Sequence, residues 1–128
     1  MPYKQSVLWS EDFILKISKL MHKDSIYCTY NHSKPVLNDL VKAGFKIGKT
    51  IKNSKIIGTI ASFNSDLIKD KYSEIELGEL LTKSAITYKD KDLNLSHQEI
   101  IKNREIEVAN SSLMTLSQYK KFCSKVNF

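Results

Sequence analysis

Few side chains in this 128-residue chain are spaced for bond-breaking chemistry. His22, His32 and His97 lie in unrelated segments and share no metal-ligand spacing, so no metal is expected. Cys28 and Cys123 have neither metal nor redox spacing and read as reduced cytosolic thiols. Gly44, Gly48, Gly58 and Gly78 form no phosphate- or nucleotide-binding loop after a strand. No nucleophile elbow or paired carboxylate motif stands out. The chain alone therefore cannot build a Rossmann-type cofactor pocket. His32 is the histidine that falls in a strand-to-helix turn, where α/β proteins place sites; a plain surface residue is the alternative.

Charge carries more information. Residues 1–64 hold ten lysines against four acids, while residues 65–128 hold ten basic and ten acidic residues, so the first half carries the whole net charge of +6. The excess concentrates in Lys42, Lys46, Lys49, Lys52 and Lys55, with no carboxylate between Asp39 and Asp66. Such a cluster suits a polyanion such as RNA. A solvated lysine-rich face is the alternative, since 19 of the 20 basic residues are lysine.

The length suits one domain with a modest core. No apolar run reaches the roughly 18–20 residues that span a bilayer, and no secretory leader is evident, so a cytoplasmic protein without membrane contact is expected. Ser10 can cap a helix over 11–22, with Glu11 and Asp12 in its first turn and Phe13, Ile14, Ile17, Leu20 and Met21 as its apolar stripe. Residues 25–30 are β-prone and largely apolar, which predicts a buried strand. A second helix has Ser33 as cap, Pro35 in its first turn and Val36, Leu37, Leu40 and Val41 as its stripe. It ends at Gly44, where a left-handed conformation costs little. Phe45–Ile51 and Lys55–Ser62 then read as a hairpin around Lys52-Asn53-Ser54. Beyond a polar, turn-like stretch over 66–72, Ser73 with Glu76 and Ser96 with Glu99 form two capping boxes, and a last helix is expected over 117–125.

These residues carry a resemblance. Pro2-Tyr3-Lys4 followed by Leu8-Trp9-Ser10, then Thr29-Tyr30, Ala43-Gly44-Phe45-Lys46-Ile47-Gly48 and Gly58-Thr59-Ile60-Ala61-Ser62 stand in one order and at about one spacing. In that order residues 2–62 resemble the second half of a class I S-adenosylmethionine-dependent methyltransferase. The likeness is to the methyltransferase domain of the MnmC-like tRNA (5-methylaminomethyl-2-thiouridine) biosynthesis family. Tyr88–Leu93, Arg104–Val108 and Ser112-Leu113-Met114 resemble the C-terminal extension of archaeal members.

The resemblance implies an α/β fold: the C-terminal half of a class I (Rossmann-like) sheet over residues 1–64, in the order helix-strand-helix-β-hairpin. A helical C-terminal extension over 65–128 packs on it. It implies that the fourth strand, its aspartate and the glycine-rich cofactor turn lie in a separate N-terminal half. S-adenosylmethionine would bind only with that half, supplied by another polypeptide; self-association is the other way to cover the open sheet edge. No flavin is expected. By the same resemblance, the complete enzyme would methylate the aminomethyl nitrogen of a modified wobble uridine in tRNA. Lys4 and Tyr30 are then the candidate catalytic residues, Pro2, Tyr3 and Ser33 the substrate contacts, and Lys42, Lys46, Lys49, Lys52, Lys55 and Arg104 the RNA contacts. For Arg104, a helix salt bridge is the alternative. Trp9 reads as core rather than as a substrate stacker.

There are departures. Gln5-Ser6 stands where the family has Asn-Pro, Leu37-Asn38 where it has arginines, and the hairpin loop lacks a glycine. Lysines replace the lost charge but not the bidentate geometry of arginine. A non-catalytic RNA-binding or protein-interaction module derived from such an enzyme is the competing expectation.

Overall fold

The computed structural model describes residues 6–125. A 3-10 turn at Ser6–Trp9 leads into α1 (Glu11–Lys19), then β1 (Tyr27–Thr29), α2 (Lys34–Lys42), β2 (Lys46–Lys52) and β3 (Lys55–Ser62). The remainder holds α3 (Glu74–Gly78), α4 (His97–Asn110), α5 (Leu116–Lys125) and 3-10 turns at Ser65–Leu67, Glu79–Leu81 and Lys83–Ala85.

The three strands form one antiparallel sheet in the order β1-β3-β2, with Tyr27 opposite Ala61 and Ile47 opposite the same alanine. Side chains alternate across a strand, so these three residues share the face that α1 and α2 cover. Ile14, Val36, Leu37, Leu40, Phe45, Ile47 and Ala61 are buried there. Each large aliphatic side chain in that set contributes about 1.5–3 kcal/mol by leaving water. Phe45 and Phe63 stack with centroids 4.4 Å apart and close the lower end of this layer.

Helix punctuation follows the local chemistry. Ser10 Oγ accepts from the Phe13 amide at 3.2 Å, and both Ser73 and Ser96 close capping boxes with Glu76 and Glu99. Gly44 adopts φ +97° after α2, a conformation a side chain resists. The hairpin turn has Asn53 at φ 51° and Ser54 at φ 63°, so two residues with side chains occupy the left-handed region that glycine favours.

Three sequence expectations are corrected. The first helix ends at Lys19 rather than at residue 22, and Leu20, in the cap, is 88% exposed instead of belonging to the stripe. The strand expected over 25–30 shortens to Tyr27–Thr29 and is not buried. It lies at the sheet edge, and Ile26, Cys28 and Tyr30 are exposed. The stretch 66–72 is more than a turn. Ile68 is buried against Gly48, the Lys49 amide donates to Asp70 O at 2.7 Å, and Lys71 bridges Gly48. This segment covers part of the outer edge of β2, whereas β1 has no second strand beside it among the described residues.

The helical tail is bonded to α1 and α2 by polar groups. Ser10 bridges Tyr88, Thr87 Oγ1 donates to Glu11 at 2.6 Å, and the Asp90 amide donates to Asp12 at 2.7 Å. Asn38 donates from Nδ2 to Ala85 O at 2.9 Å; within the tail itself, Tyr119 donates from its hydroxyl to Ile75 O at 2.9 Å. The first-turn acids of α1 therefore anchor the tail as well as favouring the helix dipole. Burial acts upward on the Glu11 carboxyl, but the hydrogen bonds from Thr87 and Lys42 outweigh it and hold its pKa below the usual carboxylate value.

Candidate functional site

The candidate site is the turn from Thr29 to Ser33, between the end of β1 and the start of α2. Short polar side chains fix its backbone: the Asn31 amide donates to Thr29 Oγ1 at 3.1 Å, and the Ser33 amide donates to Asn31 Oδ1 at 2.9 Å. From β3, Thr59 Oγ1 donates to Asn31 O at 2.9 Å. An asparagine two residues ahead of a helix cap favours this arrangement, because its side-chain oxygen mimics a backbone turn.

The geometry leaves specific polar atoms over. Asn31 is 6% exposed, its Oδ1 is held by the Ser33 amide, and its Nδ2 has no partner among the described residues. Ser33 has the extended backbone of an N-cap but makes no side-chain cap bond, and its buried Oγ is also unpartnered. Trp9 Nε1 is the third such atom. An unsatisfied buried donor costs roughly 1–3 kcal/mol, so Asn31 Nδ2 and Ser33 Oγ mark the turn as a place where polar groups are packed at some cost. Tyr30 stands 69% exposed beside them, its ring edge-to-face with Trp9 at a centroid distance of 6.1 Å. His32 is exposed on the same turn.

The sheet register sets where the lysines lie. Thr29 pairs with Thr59, and β3 continues from there toward Lys55, so the hairpin tip lies at the same end of the sheet as the Thr29–Ser33 turn. Lys52 and Lys55 face each other at that tip and are exposed. Lys46, also exposed, begins β2 at the opposite end. Lys42 is ion-paired with Glu11 at 3.1 Å, and Lys49 with Glu76 at 2.7 Å while lying over the Tyr72 ring. Arg104 donates from Nε to Ile86 O at 2.7 Å and from Nη2 to Ser84 O at 3.2 Å, with its guanidinium over Tyr88. The alternative for Arg104 is a helix salt bridge with Glu107 or Glu105; Glu107 pairs instead with Lys89 at 2.7 Å. Pro2, Tyr3 and Lys4 lie outside the described residues.

Sequence reading missed Asn31 and Asp39. Asn31 was legible as a turn residue, but its orphaned amide follows from burial. Asp39, on α2, is 1% exposed, and neither carboxylate oxygen has a hydrogen-bond partner. Burial foremost, then the Glu11 charge, pushes its pKa up to about 9 against the opposing charges of Lys42 and Lys89. Its signal was position: three residues after Val36, it falls on the apolar face of α2. Among the described residues no group of three metal-ligating side chains forms, and no helix is long and apolar enough to cross a membrane.

Comparison with known proteins bears on this geometry. Residues 1–62 match a family described as S-adenosyl-L-methionine-dependent methyltransferase. An uncharacterized protein of Methanocaldococcus jannaschii is 27% identical over 106 residues, covering 81% of this chain and 30% of that protein. The crystal structure of MnmC2 from Aquifex aeolicus superposes with a TM-score of 0.73 at 28% identity, covering 85% of this chain and 35% of that one. The chain thus spans about a third of each of these proteins. Residues 1–62 are similar to the S-adenosyl-L-methionine-dependent methyltransferase family, and the chain is MnmC-like in fold.

Proposed function

We propose that this chain is one part of an S-adenosylmethionine-dependent enzyme that methylates the aminomethyl nitrogen of a modified wobble uridine in tRNA. A separate polypeptide would supply the N-terminal half of the fold along the free edge of β1. The observation that carries this reading is the open β1 edge, which ends in the Thr29–Ser33 turn. A parallel strand beside β1 would complete the ladder. None of the four glycines is placed to form a glycine-rich turn after a strand, so cofactor contacts are assigned to the N-terminal half.

When bound, the cofactor supplies a sulfonium methyl group open to in-line attack by a neutral amine. Its methyl carbon would pass to the amine nitrogen as the carbon–sulfur bond broke with its electron pair going to sulfur, and the amine proton would need a carboxylate, which the resemblance puts in the N-terminal half. This chain contributes position. By the resemblance, Tyr30 and Lys4 are assigned to the reacting nitrogen, and Pro2, Tyr3 and Ser33 to the nucleoside. Lys52 and Lys55 draw the tRNA backbone toward this end of the sheet, with Lys46 as a more distant contact. Lys42, Lys49 and Arg104 have protein partners, so their contribution to RNA affinity is smaller. The localisation that accompanies this reading is cytoplasmic.

The test is methyl incorporation from S-adenosylmethionine into tRNA bearing the aminomethyl uridine. The chain is assayed alone and after reconstitution with a polypeptide carrying the glycine-rich turn and the fourth strand. Incorporation only in the reconstituted pair is expected. A reconstituted pair that binds cofactor yet never methylates tRNA would favour the RNA-binding or interaction module instead.

A further inference from the structure

A second concave feature lies away from the Thr29–Ser33 turn. It is a cavity of about 460 Å³ between α2, the start of β2 and the segment running into α3, within the range of small-ligand pockets. Its floor is apolar, formed by Val41, Phe45, Leu77 and Leu80. Lys46 and Lys71 also line it, both are exposed, and no carboxylate lines it, so it favours an anion. Asn38, with Nδ2 committed to Ala85 O, and Ser65 add an acceptor and a hydroxyl. An apolar floor, two lysines and a few hydrogen-bonding groups together describe a site for an unstacked base with its phosphate.

Location supports the same occupant. Lys46 begins β2 and Lys52 ends it, so a seven-residue strand at about 3.3 Å per residue separates the cavity from the hairpin lysines by roughly 20 Å. An RNA strand held by Lys52 and Lys55 at the turn end can reach the cavity along this edge. We infer that the cavity is a nucleotide-binding exosite that takes one unstacked nucleotide of the tRNA, its phosphate between Lys46 and Lys71. This rests on the tRNA reading above and adds a second point of grip remote from the reacting base.

The experiment is an amide chemical-shift titration of the purified chain with uridine 5′-monophosphate and with a single-stranded RNA pentanucleotide. Shifts centred on Phe45, Lys46, Lys71 and Leu77 are expected. Lys46→Glu, Lys71→Glu and Leu81→Glu, all at exposed positions lining the cavity, should each weaken binding at least fivefold; Lys120→Glu on α5 should not. Pentanucleotide binding lost in Lys52→Glu and Lys55→Glu but intact in the cavity variants would overturn the exosite and spare the tRNA reading. No binding of either probe would overturn the exosite, while the tRNA reading stands or falls on the methyl-incorporation assay of the reconstituted pair. Displacement of the nucleotide by octanoate at lower concentration, or concentration-dependent shifts showing a second copy in the cavity, would also overturn it.

Discussion

The indole of Trp9 and the phenol of Tyr30 meet edge-to-face with centroids 6.1 Å apart, one ring buried and the other in solvent. This contact links the 3-10 turn before α1 to the end of β1. It separates two roles that composition alone would merge. Trp9→Ala should cost about 3–5 kcal/mol, as truncation of a buried aromatic does. Tyr30→Ala should cost less than about 1 kcal/mol, since most of the ring is already hydrated. If Tyr30 borders the reacting nitrogen, its alanine variant will keep the denaturation midpoint while methyl transfer by the reconstituted enzyme falls at least tenfold.

The hairpin turn offers a stabilising change. Ser54 sits at φ 63°, where a side chain costs roughly 1 kcal/mol that glycine avoids. Ser54→Gly should raise stability by no more than about 0.6 kcal/mol after the extra unfolded-state entropy of glycine is subtracted. Urea denaturation checks this; a loss of stability would mean that the serine side chain is fastened in a way the turn geometry does not require.

Gly48 is sterically required. A methyl group there would collide with Ile68 and come within 2.9 Å of Asp70 O, the carbonyl that the Lys49 amide uses. Gly48→Ala should therefore destabilise by about 1–3 kcal/mol. Faster hydrogen exchange should appear at the Lys49 amide, where segment 66–72 covers β2.

Asp39 should make stability depend on pH with an unusual sign. Its folded pKa of about 9 lies above the ordinary 3.8, so the native state retains a proton that the unfolded state releases between those values. This stabilisation is fully present below the unfolded pKa and is lost as pH rises toward 9, with a limiting slope of about 1.4 kcal/mol per pH unit. Asp39→Asn should flatten that slope between pH 6 and 8. Parallel profiles for the two proteins would show that Asp39 is not the group responsible.

Local signals carried most of the fold. Both capping boxes, the glycine after α2 and the β2–β3 hairpin could be read because each depends on residues a few positions apart. What could not be read depends on contacts distant in sequence. The crossing of Ile68 over Gly48 needs the tail to return to the sheet, and Leu20 looks like part of a stripe until the helix is seen to stop before it. For the site, Tyr30 and Ser33 were legible through resemblance and their place at a strand end. The orphaned Asn31 amide was not, because burial and the fixed direction of a side-chain dipole are tertiary facts. The lysine cluster was legible as charge, but its division into ion-paired Lys42 and Lys49 and exposed Lys46, Lys52 and Lys55 required Glu11 and Glu76 in position.

The central claim is that this chain holds the substrate side of a methyltransferase site while the cofactor is held elsewhere. The most direct measurement is calorimetric titration of S-adenosylmethionine into the purified chain, repeated with the reconstituted pair. The account predicts no measurable heat of binding for the chain alone and saturable binding for the pair. Micromolar binding by the chain alone would contradict it, because the cofactor pocket would then be built from these 128 residues.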